Sequence, residues 1–341
     1  MKKTVPVEQA VGMVLSHDIT EIIKGEFKGR AFKKGDIVRP EDIEHLRRLG
    51  KDHLYVLELG ADEIHENEAA RLLAAAFAGP GTSFPDEVVE GKIAIAASRD
   101  GLLKVNREAL LRCNMLGEVM CATLHDNTPV RRGEQVAATR LIPLVAGRAL
   151  VEEAVRIASA GEKIVRVLPL RHVRAGLVIT GGEVFHGRIK DAFEPVLRAK
   201  LKELGSEVTV VRFAPDDPGI IAAEIGACLE AGAELIITSG GMSVDPDDVT
   251  RLGIKEAGAV DIVYGSPVLP GAMFLVAGIG RVPVLGIPAC GMFHRITVLD
   301  LILPRILAGE SVGRPELAAL GHGGLCRNCK QCQYPVCPFG K

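Results

Sequence analysis

An α/β fold with a mostly parallel sheet, preceded by smaller α+β and β-rich modules, is what this sequence predicts. Three observations carry that expectation. From about 165 to 310, apolar strand-like runs alternate with helical stretches of about ten to sixteen residues, the pattern of strands joined by crossovers. From 87 to about 145 the texture is one of short alternating strands with turn residues between them. Residues 1–60 mix short strand-like and helical segments.

In chain order, "AFKKGDIVRPEDIEHLRRLG" (31–50) gives a strand and turn, then a helix near Pro40 with acidic residues in its first turn. "HENEAARLLAAAFAG" (65–79) is a second amphipathic helix, closed by Gly79-Pro80. "KIAIAAS", "EVMCATL" and "EQVAATRLIPL" are strands of a small barrel or sandwich, and "ALVEEAVRIASAG" (149–161) is a helix leading onward. Then "GLVITGG" precedes the helix "KDAFEPVLRAKLKELG", "EVTVVRFAPDD" precedes "PGIIAAEIGACLEAG", and "AELIITSGG" precedes "DPDDVTRLGIKEAG". Such order implies parallel strands with right-handed crossovers. "GAMFLVAG" and "VPVLGIPA" lead to the closing helix in "MFHRITVLDLILPRILAG". The expected division is 1–64, 65–148, 149–312 and a Cys-rich tail, 313–341.

Composition excludes several function classes. Forty-one basic against 43 acidic residues leave a formal charge of −2, and aromatics are 4% with no Trp. Neither nucleic acid nor a membrane is the expected partner. The two lysines after Met1 are followed by no apolar h-region, and the apolar stretches around 268–308 are broken by Gly, Pro and charges. A cytoplasmic chain is expected. Scattered Cys113, Cys121, Cys228 and Cys290 are expected to be plain buried residues.

In an open α/β sheet, ligands bind beyond the carboxyl ends of the strands. Those ends here are Thr180-Gly181-Gly182-Glu183, Asp216-Asp217, Ser239-Gly240-Gly241 and Pro288-Ala289-Cys290. Glycines let backbone N–H groups approach a ligand, a following helix N-terminus favours an anion, and Ser239 and Ser243 add hydroxyl donors. Carboxylates repel phosphate, so Asp216, Asp217, Asp245 and Asp248 need another reason. A Mg²⁺ ion bridging to phosphate oxygens is one; a heterocycle with several N–H donors, such as a pterin, is the other. Each motif alone is also ordinary turn and cap chemistry, with Asp245-Pro246 a sound helix start. Their recurrence at several strand ends points to a binding site.

"VITGGEVFHGRIKDAF", "APDD" and "IITSGGMSVDPDDVT" resemble the molybdopterin-binding domain shared by molybdopterin adenylyltransferases and molybdotransferases. The segments "VLPGAMFLVAG" and "VPVLGIPACGMFHRITVLDLILPRILAG" resemble the molybdotransferase ending, and "VPVEQAVGMVLSHDI" its start. The resemblance implies a three-layer αβα domain. It implies that Thr180 and Glu183 match the family's first strand end and Asp216 and Asp217 its second-strand acids, while Thr238, Ser239, Gly240, Gly241, Ser243 and Asp248 match its pterin- and phosphate-binding motif, with Gly181 and Pro288 as further cofactor-binding candidates. Asp245-Pro246 and Ala289-Cys290-Gly291 depart from the family pattern, and no Ser-x-Met-Asp-Gly-Tyr-Ala stretch occurs beyond the echo in Asp100-Gly101. The implied function is molybdenum-cofactor biosynthesis: adenylylated molybdopterin bound with Mg²⁺, molybdate inserted, AMP released. The rival reading is a cofactor carrier or redox sensor without turnover, and a nucleotide pyrophosphatase of the competence-damage type shares the domain. Molybdopterin and molybdate are the expected small-molecule ligands, with a homodimer and a molybdoenzyme or cofactor-synthesis partner as the expected assemblies.

The sequence ends with Cys326-x2-Cys329-x2-Cys332-x4-Cys337. Four thiolates at this spacing suit zinc or an iron–sulfur cluster, on a flexible tether formed by 311–324. "IHENE" (64–68) reads as a helix start with solvated acids, and "TLHDNTPVRRGEQVA" (123–137) as a turn between strands.

Overall fold

The computed structural model describes residues 2–23, 27–57, 59–243, 245–246 and 248–341. The chain forms two compact units: residues 1–98, 105–124 and 133–166 make the first, and 99–104, 125–132 and 167–341 the second. Among the described residues no helix is long and apolar enough to cross a membrane.

In the first unit, strands Lys2–Pro6 and Val14–Leu15 flank His53–Leu57 in an antiparallel sheet. The helix Asp42–Arg48 brings Leu46 onto a cluster with Val7, Leu15 and Val56. A second sheet runs Val119–Thr123, Gln135–Leu141, Lys92–Ala97, Thr82–Ser83. The alternation in "KIAIAA" buries Ile93, Ile95 and Ala97 on one face, as the two-residue repeat of a strand dictates. One helix, Arg107–Asn114, falls within the stretch expected to hold strands alone. Asn106 Oδ1 caps it by accepting the Ala109 N–H at 3.1 Å, and Ala109 and Cys113, four apart, bury its inner face.

The helix Arg148–Ser159 buries Val151, Ala154, Ile157 and Ala158 and packs on Glu66–Phe77 within this unit. The units are therefore discontinuous in sequence, where a linear reading cuts the chain at 148. The expected solvated acids of "IHENE" include one exception, Glu66, which is buried and paired with Arg140 Nη2 at 3.2 Å. His65 is buried too; its Nε2 bonds the Gly35 carbonyl oxygen at 2.7 Å and its Nδ1 accepts the Asn67 N–H as helix cap. Glu66→Ala is expected to lower unfolding free energy by about 2–3 kcal/mol, because Arg140 keeps its charge without a buried partner. Denaturant titration reads this directly, and a loss below about 0.5 kcal/mol would show that the pair is dispensable.

The second unit is the α/β domain. The strands of its six-stranded sheet are β1 (Arg174–Thr180), β2 (Glu207–Ala214), β3 (Leu235–Ser239), β4 (Val260–Tyr264), β5 (Leu275–Ile279) and β6 (Val282–Ile287). They lie in the order β2-β1-β3-β6-β5-β4. The pairs β1–β2, β1–β3 and β3–β6 are parallel, and β5 is antiparallel to both its neighbours. Helices α1 (Gly182–Phe185), α2 (Phe193–Glu203), α3 (Pro218–Glu230), α4 (Thr250–Glu256), α5 (Val298–Leu307) and α6 (Arg314–Ala319) complete it.

Layering follows from the apolar runs. Leu177 and Ile179 of β1, Ile237 of β3 and Leu285 of β6 join Leu197 and Leu201 of α2 and Ile302 and Ile306 of α5 in one core. Val178, Ile236 and Val284, pointing the other way, join Ile221 and Ile225 of α3 and Ile254 of α4. A sheet covered on both faces needs apolar residues at successive positions, which is why β1 and β3 read as continuous runs. Thr297 and Asp300 form a capping box that starts α5.

The tail is not a flexible tether. Leu317 of α6 and Phe339 lie in the same core as α2 and α5. The Cys326 N–H donates to the Leu269 carbonyl and the Leu269 N–H to the Gly324 carbonyl, both at 2.8 Å. Apolar residues at 317 and 339 thus dock a segment whose glycines suggest mobility. Of the scattered cysteines, Cys113, Cys121 and Cys228 are buried and Cys290 half-buried. Burial pushes the Cys121 thiol up to about 12 and Cys228 to about 11, so neither supplies a thiolate near neutrality.

Candidate functional site

Parallel pairing of β1, β2, β3 and β6 brings the carboxyl ends of four strands to one edge. Thr180 pairs with Ala214, Ile179 with Ser239, and Ser239 with Ile287. Thr180, Ser239, Pro288 and the acids after Ala214 therefore gather as the strand-end reading expects.

The turn after β3 is built from buried polar groups. Thr180 Oγ1 donates to the Ser239 carbonyl at 2.8 Å and lies 2.9 Å from Thr250 Oγ1. Thr180, Thr238, Ser239 and Thr250 are all buried. Gly240 and Gly241 take φ of +85° and +56°. A Cβ at Gly241 would stand 2.3 Å from Thr250 Oγ1, and one at Gly240 would stand 2.8 Å from the Thr180 carbonyl oxygen. Only glycine fits this approach. The Gly240 N–H donates to the Ile287 carbonyl at 3.2 Å, tying the turn to the end of β6.

Among the described residues, two buried polar atoms here lack a hydrogen-bond partner: Ser239 Oγ and Arg251 Nε. A buried hydroxyl left unpaired costs stability unless a ligand or water completes it. The Arg251 guanidinium lies 4.2 Å over the Tyr264 ring, and the Tyr264 hydroxyl donates to the Met242 carbonyl at 2.6 Å. Thr250, Arg251 and Tyr264 were not singled out from sequence. Thr250-Arg251 lie two and three residues beyond Asp248, a proximity that marks them in the sequence. Tyr264 lies on β4, beyond β6 and β5 in the sheet, and nothing local marks it.

The acids are more committed than spacing suggests. Asp216 Oδ2 accepts the Gly182 N–H at 2.8 Å, fastening the Gly181-Gly182 turn to the end of β2. Asp217 caps α3, its Oδ1 accepting the Ile220 N–H at 2.9 Å. Asp245-Pro246 do not begin a helix. They form a turn in which the Asp248 N–H donates to the Asp245 carbonyl at 2.9 Å and Asp248 Oδ2 accepts the Asp245 N–H at 3.2 Å. The helix α4 starts only at Thr250. Glu183 is exposed on the short α1, Ser243 and Pro288 are half-buried, and Val244 and Asp247 lie outside the described residues.

A metal fits less well. Among the described residues, no group of three or more His, Cys, Asp or Glu side chains is gathered as a metal ion requires. Cys326, Cys329, Cys332 and Cys337 form no such group for zinc or iron–sulfur, and neither do Asp216, Asp217, Asp245 and Asp248, although Mg²⁺ beside a phosphate takes only one or two carboxylates. Cys326 and Cys337 pack against the core while Cys329 is exposed.

A family model described as a probable molybdopterin binding domain matches residues 176–308. Another, described as a domain of unknown function, matches residues 4–58, the segment whose start resembles a molybdotransferase. The CinA-like protein of Mycobacterium leprae is 42% identical over 77 residues, covering 23% of this chain and 18% of that protein. The CinA-like protein of Mycobacterium tuberculosis strain H37Rv is 43% identical over 77 residues, with the same shares. The chain thus spans only 18% of the length of these curated relatives. Among solved structures, the molybdopterin biosynthesis enzyme MoaB of Thermus thermophilus aligns at 23% identity and TM-score 0.35, over 40% of this chain and 98% of its own. CinA of Thermoplasma acidophilum aligns at 18% identity and TM-score 0.36, over 40% and 98%.

Proposed function

We propose that the domain at residues 176–308, a member of the molybdopterin-binding domain family, holds the phosphate of molybdopterin over the Gly240-Gly241 turn and acts in molybdenum-cofactor biosynthesis. The observation that carries this reading is the buried, unpartnered Ser239 Oγ beside two left-handed glycines. A phosphate oxygen is the acceptor that hydroxyl lacks, and the half-buried Ser243 stands next in line to donate. Arg251, its Nε unpaired, supplies positive charge close by. Asp216 and Asp217 each spend one oxygen on a backbone N–H and keep the other for the N–H donors of a pterin ring. Thr180 orients the turn through the Ser239 carbonyl.

Bound molybdopterin supplies the dithiolene that holds molybdenum. The finer proposal is a molybdotransferase-type reaction in which adenylylated molybdopterin loses AMP as molybdate is inserted. Resemblance in the 268–309 segment supports it. The carrier reading is favoured by a different observation: Asp216, Asp217 and Asp248 all hold backbone N–H groups, which leaves less carboxylate for chemistry. The tail cysteines have only their spacing in support of zinc or an iron–sulfur cluster, and no step is routed through them.

The test is calorimetric titration of the full chain with freshly prepared adenylylated molybdopterin, followed by assay of AMP with molybdate and Mg²⁺. Tight binding with AMP release is expected. Binding without release would select the carrier, and absence of binding would overturn both. Ser239→Ala is expected to stabilise the ligand-free protein by about 1 kcal/mol, since it removes an unsatisfied buried hydroxyl, and to weaken ligand binding about tenfold. A purely structural serine would lose stability on the same change and leave affinity alone.

A further inference from the structure

A cavity of about 830 Å³ lies in the second unit, away from the glycine turn. Its lining includes Pro169 and Leu170, which precede β1, and Leu204 and Gly205, which precede β2. Those are the amino ends of parallel strands, whereas Gly240-Gly241 follow the carboxyl end of β3. The cavity thus reaches the amino ends of β1 and β2, and its lining includes neither glycine of the turn. Nothing in the proposed molybdopterin chemistry uses this cavity.

Its walls are of two kinds. Leu170, Val196, Leu204, Met292, Ile296 and Leu303 make an apolar lining. The charged groups are Arg99, Arg131, Lys202 and Arg295 against the carboxylates Asp100 and Glu203, with Lys200 and Asp300 paired to each other. Asp100 Oδ1 already accepts the Arg132 N–H at 2.7 Å. Arg99, Lys202 and Arg295 come from three separate segments, are exposed, and have no side-chain partner among the described residues. Surface cations commonly stand unpaired, but three of them around an apolar cavity of ligand size make a field that favours one sign of charge. Small-molecule sites commonly have volumes of about 300–1,000 Å³ and mix apolar walls with a few charged groups in this way.

We infer that this cavity is a second ligand site, selective for an amphipathic organic anion. An aromatic or aliphatic body lies against Leu170, Val196 and Met292, and its carboxylate, phosphate or sulfonate meets Arg99, Lys202 and Arg295. Both parts are required: the apolar wall supplies affinity and the cations supply charge selection.

The experiment uses the full chain with two fluorescent probes of similar shape, the sulfonate 8-anilinonaphthalene-1-sulfonate and the neutral N-phenyl-1-naphthylamine. Saturable, single-site binding of the sulfonate is expected, with weaker binding of the neutral probe. The double change Lys202→Glu with Arg295→Glu is expected to weaken the sulfonate about tenfold and to move the neutral probe by less than about twofold. Ala199→Trp, at an exposed lining position on α2, is expected to exclude both probes. All three positions are exposed, so the variants keep the fold, and circular dichroism checks it. Sulfonate binding that survives Ala199→Trp would remove the cavity as the site. Equal loss of both probes on charge reversal, or no loss of the sulfonate, would overturn selection for an anion.

Discussion

Phe339→Ala is expected to lower the unfolding free energy by about 3–5 kcal/mol, the usual cost of emptying a buried aromatic position. Phe339 is 3% exposed and belongs to the core that includes Leu301, Ile302 and Leu317. The cavity left behind would be lined by α5 and α6, which backbone pairing of the tail keeps from collapsing: the Gly340 N–H donates to the Gly323 carbonyl at 3.0 Å. Val336→Ala is the internal comparison, since Val336 is 85% exposed and its truncation is expected to cost less than about 0.5 kcal/mol. Denaturant unfolding of both variants in the full chain separates a docked tail from a loose one. Equal stability of the two would restore the flexible tether and sink the docked arrangement.

Gly241→Val is expected to abolish binding at the glycine turn and to cost about 2–4 kcal/mol of stability. Two effects add. A β-branched residue at φ +56° pays about 1–2 kcal/mol in backbone strain, and its Cβ would sit 2.3 Å from Thr250 Oγ1. The turn must move, and with it the Ser239 hydroxyl and the N–H groups above it. Gly258→Ala calibrates the first effect alone, because Gly258 also has positive φ, +87°, but a Cβ there meets nothing within 4 Å. It is expected to cost about 1 kcal/mol and to leave ligand affinity unchanged. Calorimetry and unfolding on the two variants suffice. Retained affinity in Gly241→Val would remove this turn from the ligand site.

Legibility from sequence differed from element to element. β1 and β3 were readable because both their faces are covered, so their apolar runs are continuous and resemble nothing else of that length. The helix Arg107–Asn114 was not, because only Ala109 and Cys113 face inward and eight residues give a faint repeat. The start of α4 was misplaced at Asp245 because Asp-Pro is a sound cap by itself. The chain instead spends Asp245 and Asp248 on a local turn that delays the helix to Thr250. At the site, the sequence named Thr180, Ser239, Gly240 and Gly241 as strand-end residues. It said nothing of Arg251 or Tyr264, whose significance depends on an unpaired buried nitrogen and a ring from another strand.

By itself the sequence determined the α/β class and the edge of the sheet where small and polar residues collect. Both follow from local chemistry: continuous apolar runs demand burial on two faces, and Gly-Gly after a strand demands a turn there. Only the tertiary structure decided what long-range contact settles. It buried Glu66 beside Arg140, since the pair is separated by 74 positions in sequence. It docked the tail through Phe339, and among the described residues it left Ser239 Oγ without a partner while giving Asp216 and Asp217 backbone N–H groups to hold. A side chain's burial and hydrogen-bond partners depend on residues brought from distant parts of the chain, and periodicity and spacing carry no record of them.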